Sequence, residues 1–121
     1  MAGRSHILVV EDDPLVCEVL SAALDEVYAT TNVGTSGAAL ARLRDGGIDL
    51  MLLDCTLPDG VDVRLIPEAD GSGVPVILMS GDPARVEKLA EQPRPFVVKP
   101  FTITTLLSTV EGVIRARGAA A

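Results

Sequence analysis

The chain has 121 residues, of which 48 % are hydrophobic, enough for one domain with an apolar core. Its formal net charge of −7 is opposite to the basic face that a nucleic-acid backbone requires, so we expect no direct nucleic-acid partner. No apolar run is long enough to cross a membrane and Met1–His6 lacks the apolar segment of a signal peptide, so we expect a cytoplasmic protein without membrane contact.

Short apolar runs alternate with amphipathic segments along the chain. The apolar runs predict strands, and apolar residues at three- and four-residue spacing predict helices between them. Asp13 before Pro14 is a typical helix start, and Asp82 before Pro83 repeats it. Pro67 should interrupt the third helix, which we expect to be short or irregular. Strands are predicted over 6–10, 28–33, 49–54, 74–79 and 96–98, and helices over 14–27, 38–44, 61–66, 83–90 and 103–117.

Five strands that alternate with five helices predict an α/β fold, in which helices cover both faces of a parallel sheet. The third strand is central to this prediction, because an apolar run of the kind buried on both faces ends in Asp54. We expect one folded domain over residues 4–117, followed by a frayed tail over 118–121.

Polar residues follow several of the predicted strands, and right-handed crossovers place the ends of parallel strands at one rim of the sheet. The residues expected to converge there are Glu11, Asp12, Asp54, Ser80 and Lys99. Three carboxylates at one place repel each other, so they require a cation at neutral pH. Oxygen ligands without histidine or cysteine suit Mg²⁺. A group held between Mg²⁺, the ammonium of Lys99 and the hydroxyl of Ser80 should be an anion with several oxygens, and a phosphoryl group fits best.

In this arrangement the carboxylate of Asp54 can be a nucleophile that receives the phosphoryl group as an aspartyl phosphate. Mg²⁺ and Lys99 would neutralise charge on the transferring oxygens, which is most of what phosphoryl transfer requires. The sequence therefore predicts a phosphoacceptor site.

These residues resemble a family, the receiver domains of bacterial two-component response regulators, which include single-domain receivers of the chemotaxis type. The resemblance covers nearly the whole chain, and it implies a flavodoxin-like, doubly wound fold with the parallel strand order 2-1-3-4-5. The motifs that carry it are the acidic opening Ile7-Leu-Val-Val-Glu11-Asp12-Asp13, the phosphoacceptor loop Leu52-Leu53-Asp54 with Pro58 and Gly60, the hydroxyl strand Val76-Ile-Leu-Met-Ser80-Gly81, and the lysine motif Val98-Lys99-Pro100-Phe101.

The resemblance also implies roles for the site residues. Asp54 takes the phosphoryl group from a histidine kinase or a histidine phosphotransfer protein. Asp12 binds Mg²⁺ directly, Glu11 helps through metal-bound water, and the backbone carbonyl of Thr56 completes the protein ligands with Asp54. Such a domain is no enzyme beyond its own phosphorylation and dephosphorylation.

A conformational switch is implied as well. Phe96 takes the place of the family's switch aromatic, whose ring moves inward as Ser80 turns toward the phosphoryl group. The movement re-forms a surface on the fourth helix, the fifth strand and the fifth helix, where a downstream protein target binds. Thr56 and Asp82 border the attacking water and tune the lifetime of the phosphoryl group.

Two other functions stay open. Residues 53–57 faintly resemble the nucleophile loop of Mg²⁺-dependent phosphohydrolases of the haloacid-dehalogenase type. That loop has an aspartate as general acid two residues after its nucleophile, and Thr56 cannot protonate a leaving group in that way. The other alternative is an interaction module that never needs phosphate, against which the complete set of rim residues argues.

Overall fold

Five parallel strands form the sheet in a computed structural model, which describes residues 4–58, 60–82, 84 and 94–120, with the backbone alone for 118–120. The strands are β1 (His6–Val10), β2 (Ala29–Val33), β3 (Leu50–Asp54), β4 (Val76–Ser80) and β5 (Phe96–Val98). They lie in the order β2-β1-β3-β4-β5, and every neighbouring pair is parallel. The predicted fold class and strand order are confirmed.

Four helices are described: α1 (Pro14–Leu24), α2 (Ser36–Asp45), α3 (Leu65–Gly71) and α4 (Ile103–Ala120). The last of these is the fifth helix of the sequence prediction, because the fourth, predicted over 83–90, lies almost wholly outside the described residues. α4 continues to Ala120, beyond the end predicted near Arg117, and the limits of the domain stay a prediction. Within the described ranges, none of the helices has the length and apolar character needed to span a membrane.

Polar side chains cap the first two helices where the chain leaves the sheet. The carboxylate of Asp13 accepts a hydrogen bond from the backbone N–H of Leu15 (2.9 Å), which confirms the predicted start of α1. The hydroxyl of Thr35 accepts a hydrogen bond from the N–H of Ala38 (3.1 Å) and caps α2. These caps determine where the chain turns from the rim of the sheet into each helix.

The third helix is short, as predicted, but it lies at a different position in the chain. Residues 61–66 were expected to form a helix that Pro67 would interrupt, but α3 begins at Leu65 and contains Pro67. Pro67 lies in the first turn, where a backbone N–H has no partner within the helix, so no hydrogen bond is lost. The interpretation of Pro67 as a break was therefore wrong, and residues 61–64 belong to the loop between β3 and α3.

The core lies on both faces of the sheet, as β3 illustrates. Met51 and Leu53 belong to the apolar cluster under α2 and α3, whereas Leu50 and Leu52 belong to the cluster under α1 and α4. All four side chains are fully buried, because successive residues of a strand point to opposite faces and both faces are covered. This packing holds β3 in place and brings its last residue, Asp54, to the rim.

Candidate functional site

Four of the predicted site residues lie at the carboxyl ends of neighbouring strands. Asp54 ends β3 and is in register with Met79, so Ser80 at the end of β4 lies beside it. Glu11 directly follows β1, and Lys99 directly follows β5. Because all strands run in the same direction, these side chains meet at one rim of the sheet.

An ammonium group lies between two buried carboxylates at this rim. Nζ of Lys99 is 2.8 Å from Oε2 of Glu11 and 3.5 Å from Oδ2 of Asp54. Glu11 and Asp54 are 3 % and 2 % exposed, so little water is available to stabilise their charges. Lys99 therefore bridges the two carboxylates, with the shorter contact to Glu11.

The protonation equilibria of this group follow from burial and charge. Burial raises the pKa of Glu11, the hydrogen bond from Lys99 lowers it, and the charge of Asp54 raises it, with a net rise. Burial acts to lower the pKa of Lys99, but the hydrogen bond to Glu11 and the charges of both carboxylates outweigh it, so the pKa is raised. Lys99 is thus held in its charged form, whereas Glu11 takes up a proton more readily than an exposed glutamate.

Three carboxylates form a cluster of oxygen donors at the same rim. One oxygen from each of Glu11, Asp12 and Asp54 lies within 4.8 Å of the other two. Asp12 is exposed, and the other two carboxylates form the buried side of the cluster. The donors are all carboxylate oxygens, and the two buried carboxylates already contact one cation, the ammonium of Lys99. This set fits a hydrated hard cation such as Mg²⁺.

Thr56 orients the carboxylate of Asp54. Its backbone N–H and its hydroxyl both donate hydrogen bonds to Oδ1 of Asp54, at 2.9 and 2.7 Å. Oδ2 is the oxygen that faces Lys99, so the two oxygens of the carboxylate have different surroundings. The roles predicted for Thr56 as a carbonyl ligand and in the phosphoryl lifetime stay predictions.

The hydrogen bonds of Ser80, the predicted switch hydroxyl, are made with Asp82. The buried hydroxyl of Ser80 donates to the backbone carbonyl of Asp82 (3.1 Å) and accepts from its N–H (3.0 Å). The carboxylate of Asp82 accepts a hydrogen bond from the N–H of Ala84 (3.0 Å), as expected of a cap. Phe96 is 47 % exposed. The switching role of Phe96 and the tuning role of Asp82 stay predictions.

Ser36 is a contact residue that the sequence did not single out. Its buried hydroxyl donates to the carbonyl of Gly60 (3.2 Å) and accepts from the N–H of Asp62 (3.0 Å). These bonds join α2 to the loop between β3 and α3 across 24 and 26 residues of sequence. No local pattern predicts a contact over that distance, and the sequence offered no signal for it.

Comparison with known proteins identifies the family. Residues 7–111 match the response regulator receiver domain. The chain belongs to this family. Receiver domains are signalling modules of two-component systems, they interact with histidine kinases, and they typically bind Mg²⁺ at an acidic pocket.

This receiver domain is 36 % identical over 118 residues to the DNA-binding response regulator MtrA of Mycolicibacterium smegmatis, a match over 93 % of this chain and 51 % of MtrA. The chain spans about half the length of the curated relatives it matches. The N-terminal domain of a response regulator/sensory box/GGDEF 3-domain protein from Carboxydothermus hydrogenoformans has a similar structure, with a TM-score of 0.84, 28 % identity and coverage of 96 % and 98 % of the two chains. A CheY-like receiver domain protein from Methanospirillum hungatei has a TM-score of 0.84 at 21 % identity, covering 98 % and 100 %, and shows the fold alone.

Proposed function

We propose that this chain is the phosphoacceptor receiver of a two-component phosphorelay, in which Asp54 takes a phosphoryl group from a histidine kinase or a histidine phosphotransfer protein. The observation that supports this most is the surroundings of Asp54, a buried carboxylate with Lys99 at 3.5 Å and two further carboxylates beside it. A fixed positive charge next to a nucleophile stabilises the charge of a transferring phosphoryl group. An aspartate that only ends a strand needs none of these neighbours.

In the proposed transfer, an oxygen of Asp54 forms a bond to phosphorus while the bond between phosphorus and the donor's nitrogen breaks. Thr56 orients the carboxylate through its two hydrogen bonds, and Lys99 is within reach of the incoming oxygens. Mg²⁺, held by Asp12, Asp54 and the carbonyl of Thr56 with Glu11 acting through water, would neutralise charge on the transferring oxygens. The ammonium of Lys99 has three N–H donors, so it can contact the phosphoryl group in addition to Glu11, which is 2.8 Å away.

The proposed output is a change in a protein-binding surface. To bind the phosphoryl group, the hydroxyl of Ser80 gives up its two hydrogen bonds with Asp82, and the exposed ring of Phe96 can then move inward. Moving a two-state equilibrium from 1:99 to 99:1 requires about 5.5 kcal/mol of preference. One hydrogen bond to a charged group contributes only about 1.5–3 kcal/mol, so Ser80, Lys99 and the metal have to act together.

The downstream partner proposed is a protein that binds the face formed by β5, α4 and the predicted helix over 83–90. Phe96 and Val98 of β5 are exposed at 47 % and 43 %, so this strand offers apolar contact area. DNA binding, named for MtrA, belongs to a protein of about twice this length. For this chain, the absence of a direct nucleic-acid partner stays a prediction.

The phosphohydrolase alternative is not favoured by the geometry. A general acid at the position of Thr56 would have to face a leaving group, but the hydroxyl of Thr56 donates to Asp54 itself. The other alternative, an interaction module that never needs phosphate, is distinguished from our proposal by a phosphorylation experiment.

The deciding measurement is the intact mass of the protein after incubation with Mg²⁺ and a small acyl phosphate. Wild type should gain the mass of one phosphoryl group, and Asp54→Asn should gain none. Asp45→Asn is the matched control, because Asp45 is an exposed aspartate at the end of α2 and should leave phosphorylation unchanged. Equal phosphorylation of Asp54→Asn, or no added mass on wild type, would contradict the proposal.

A further inference from the structure

We propose that Ser36 is a positioning residue for the chemistry at Asp54, because its hydroxyl ties the loop that follows Asp54 to the first turn of α2. This rests on the proposed function, in which Asp54 accepts a phosphoryl group with Mg²⁺. Ser36 acts through the backbone of the loop and not by contact with the reacting atoms.

Both hydrogen bonds of the Ser36 hydroxyl are made with this loop. Ser36 is the first residue of α2, is 6 % exposed, and both donates to the carbonyl of Gly60 and accepts from the N–H of Asp62. The N-terminus of α2 does not need the hydroxyl of Ser36, since the hydroxyl of Thr35 already caps the helix. A buried hydroxyl that donates and accepts at once fixes the distance between the two elements it joins.

The same loop carries the atoms that orient Asp54. At its start, Thr56 donates two hydrogen bonds to Asp54, and Leu57 is buried in the core under α2 and α3. The N–H of Gly60 donates to the carbonyl of Leu57 (2.9 Å), which closes a turn. Gly60 has a φ of +77°, a backbone conformation that favours glycine, so the turn depends on this residue. The loop is therefore anchored at Asp54, at Leu57 and, through Ser36, at Gly60.

Apart from Ser36, the far end of the loop is held by the packing of Val61 against the core under α2 and α3 and by local hydrogen bonds. The carboxylate of Asp62 accepts hydrogen bonds from the backbone N–H and the guanidinium of Arg64, two residues away. Such a contact shapes the entry to α3 but does not connect the loop to α2. Loss of the Ser36 hydroxyl should thus loosen the backbone at Gly60 and Asp62 relative to α2, and with it the predicted carbonyl ligand, Thr56, at the start of the same loop.

Two adjacent substitutions separate positioning from helix stability. Ser36→Ala removes both bonds to the loop and keeps the helix cap, whereas Thr35→Ala removes the cap and keeps the bonds to the loop. Each variant loses one hydroxyl at the same helix end. All measurements are made below the unfolding transition of both variants, as checked by circular dichroism.

The first readout is amide hydrogen exchange, which needs neither Mg²⁺ nor phosphate. Ser36→Ala should raise the exchange rate of the Asp62 amide, and Thr35→Ala that of the Ala38 amide, because each loses its acceptor. The second is the dissociation constant of Mg²⁺ from an amide NMR titration. It should rise about threefold to tenfold in Ser36→Ala, the net contribution of about one hydrogen bond, because only part of the effect of the two lost bonds reaches the metal ligands. In Thr35→Ala it should stay within about twofold of wild type.

The phosphorylation rate completes the design. The Mg²⁺ concentration for half-maximal phosphorylation by an acyl phosphate should rise in Ser36→Ala by the same factor as the dissociation constant. Two results would overturn the role of Ser36 while leaving the proposed function intact. One is a dissociation constant of Mg²⁺ in Ser36→Ala equal to that of wild type, and the other is an equal rise of this constant in Ser36→Ala and Thr35→Ala. Failure of wild type to bind Mg²⁺ or to accept a phosphoryl group on Asp54 would instead overturn the proposed function and, with it, this inference.

Discussion

Replacing Lys99 with methionine tests whether the ammonium holds the two buried carboxylates together. Methionine keeps a long, unbranched side chain and removes the charge. In Lys99→Met, the carboxylates of Glu11 and Asp54 remain buried at the rim without their cation. In the absence of Mg²⁺ the variant should therefore have a smaller free energy of unfolding than wild type.

The size of the loss follows from the burial of the group. Removing one partner of a fully buried ion pair costs about 3–5 kcal/mol. The side chain of Lys99 is 24 % exposed and Glu11 can take up a proton, and both reduce the cost. We expect a loss of about 2–3 kcal/mol near pH 8. Arg115→Met is the control, because its pair with Glu111 is exposed on both sides (76 % and 59 %) and should cost about 0.5 kcal/mol or less.

The loss should depend on pH with a definite sign. The pKa of Glu11 is raised in the folded protein, and it should rise further in Lys99→Met because the hydrogen bond from Lys99 lowers it. A glutamate with a folded pKa above its unfolded value binds protons preferentially in the folded state. As the pH falls from the folded pKa toward the unfolded pKa, Glu11 takes up its proton first in the folded state. The free energy of unfolding therefore increases over this pH range. The deficit of Lys99→Met should be largest near pH 8 and smaller near pH 5.

Urea unfolding followed by circular dichroism measures this deficit, since the chain has no tryptophan. With a chelator present, Lys99→Met and Arg115→Met are compared with wild type at both pH values. Addition of Mg²⁺ should reduce the deficit of Lys99→Met, because a cation at the acidic cluster replaces the missing charge. Equal losses in the two variants, or a deficit that neither pH nor Mg²⁺ changes, would refute the reasoning.

Three further outcomes are expected. Leu52→Ala should lower the free energy of unfolding by about 2–5 kcal/mol, because a fully buried side chain of β3 leaves a cavity, and a loss under about 1 kcal/mol would contradict the packing. Carboxyl NMR should give Asp62 a pKa of about 2, held low by hydrogen bonds from Arg64. The charged carboxylate of Asp62 therefore stabilises the folded state fully above its ordinary pKa of 3.8, and this contribution is lost as the pH falls toward 2. Arg64→Ala should return the pKa of Asp62 toward 3.8, and an unchanged midpoint would exclude this cause. Asp54→Asn removes a negative charge beside Glu11, so the pKa of Glu11 should fall, as the same NMR titration can check.

The meeting of residues at the rim could be predicted because two simple rules apply to it. An apolar run in this sequence marks a strand, and parallel strands end at the same side of a sheet. Glu11, Asp54, Ser80 and Lys99 are each at or directly after such a run, and the structure places them at one rim. The bounds of β1 and β5 also match the prediction, since both runs stop at polar residues.

The hydrogen-bond partners within the site could not be predicted in the same way. The role of Lys99 at the phosphoryl group stays a prediction, and its shorter contact, with Glu11 88 residues away in the chain, was not predicted. Likewise, the hydroxyl of Ser80 bonds to the backbone of Asp82. Which partner a long or rotatable side chain selects depends on distances between elements, and local patterns contain no such distances.

The sequence by itself determined the alternation of elements, the apolar runs of the sheet and the residues that end them, because strand burial and helix capping depend on neighbours in the chain. Only the tertiary structure decided that Pro67 lies inside α3 and that Ser36 joins α2 to the loop after Asp54. Both depend on how separate elements pack against each other. The chemical identity of the site is therefore a local property of the sequence, whereas its geometry is a property of the packed sheet and helices.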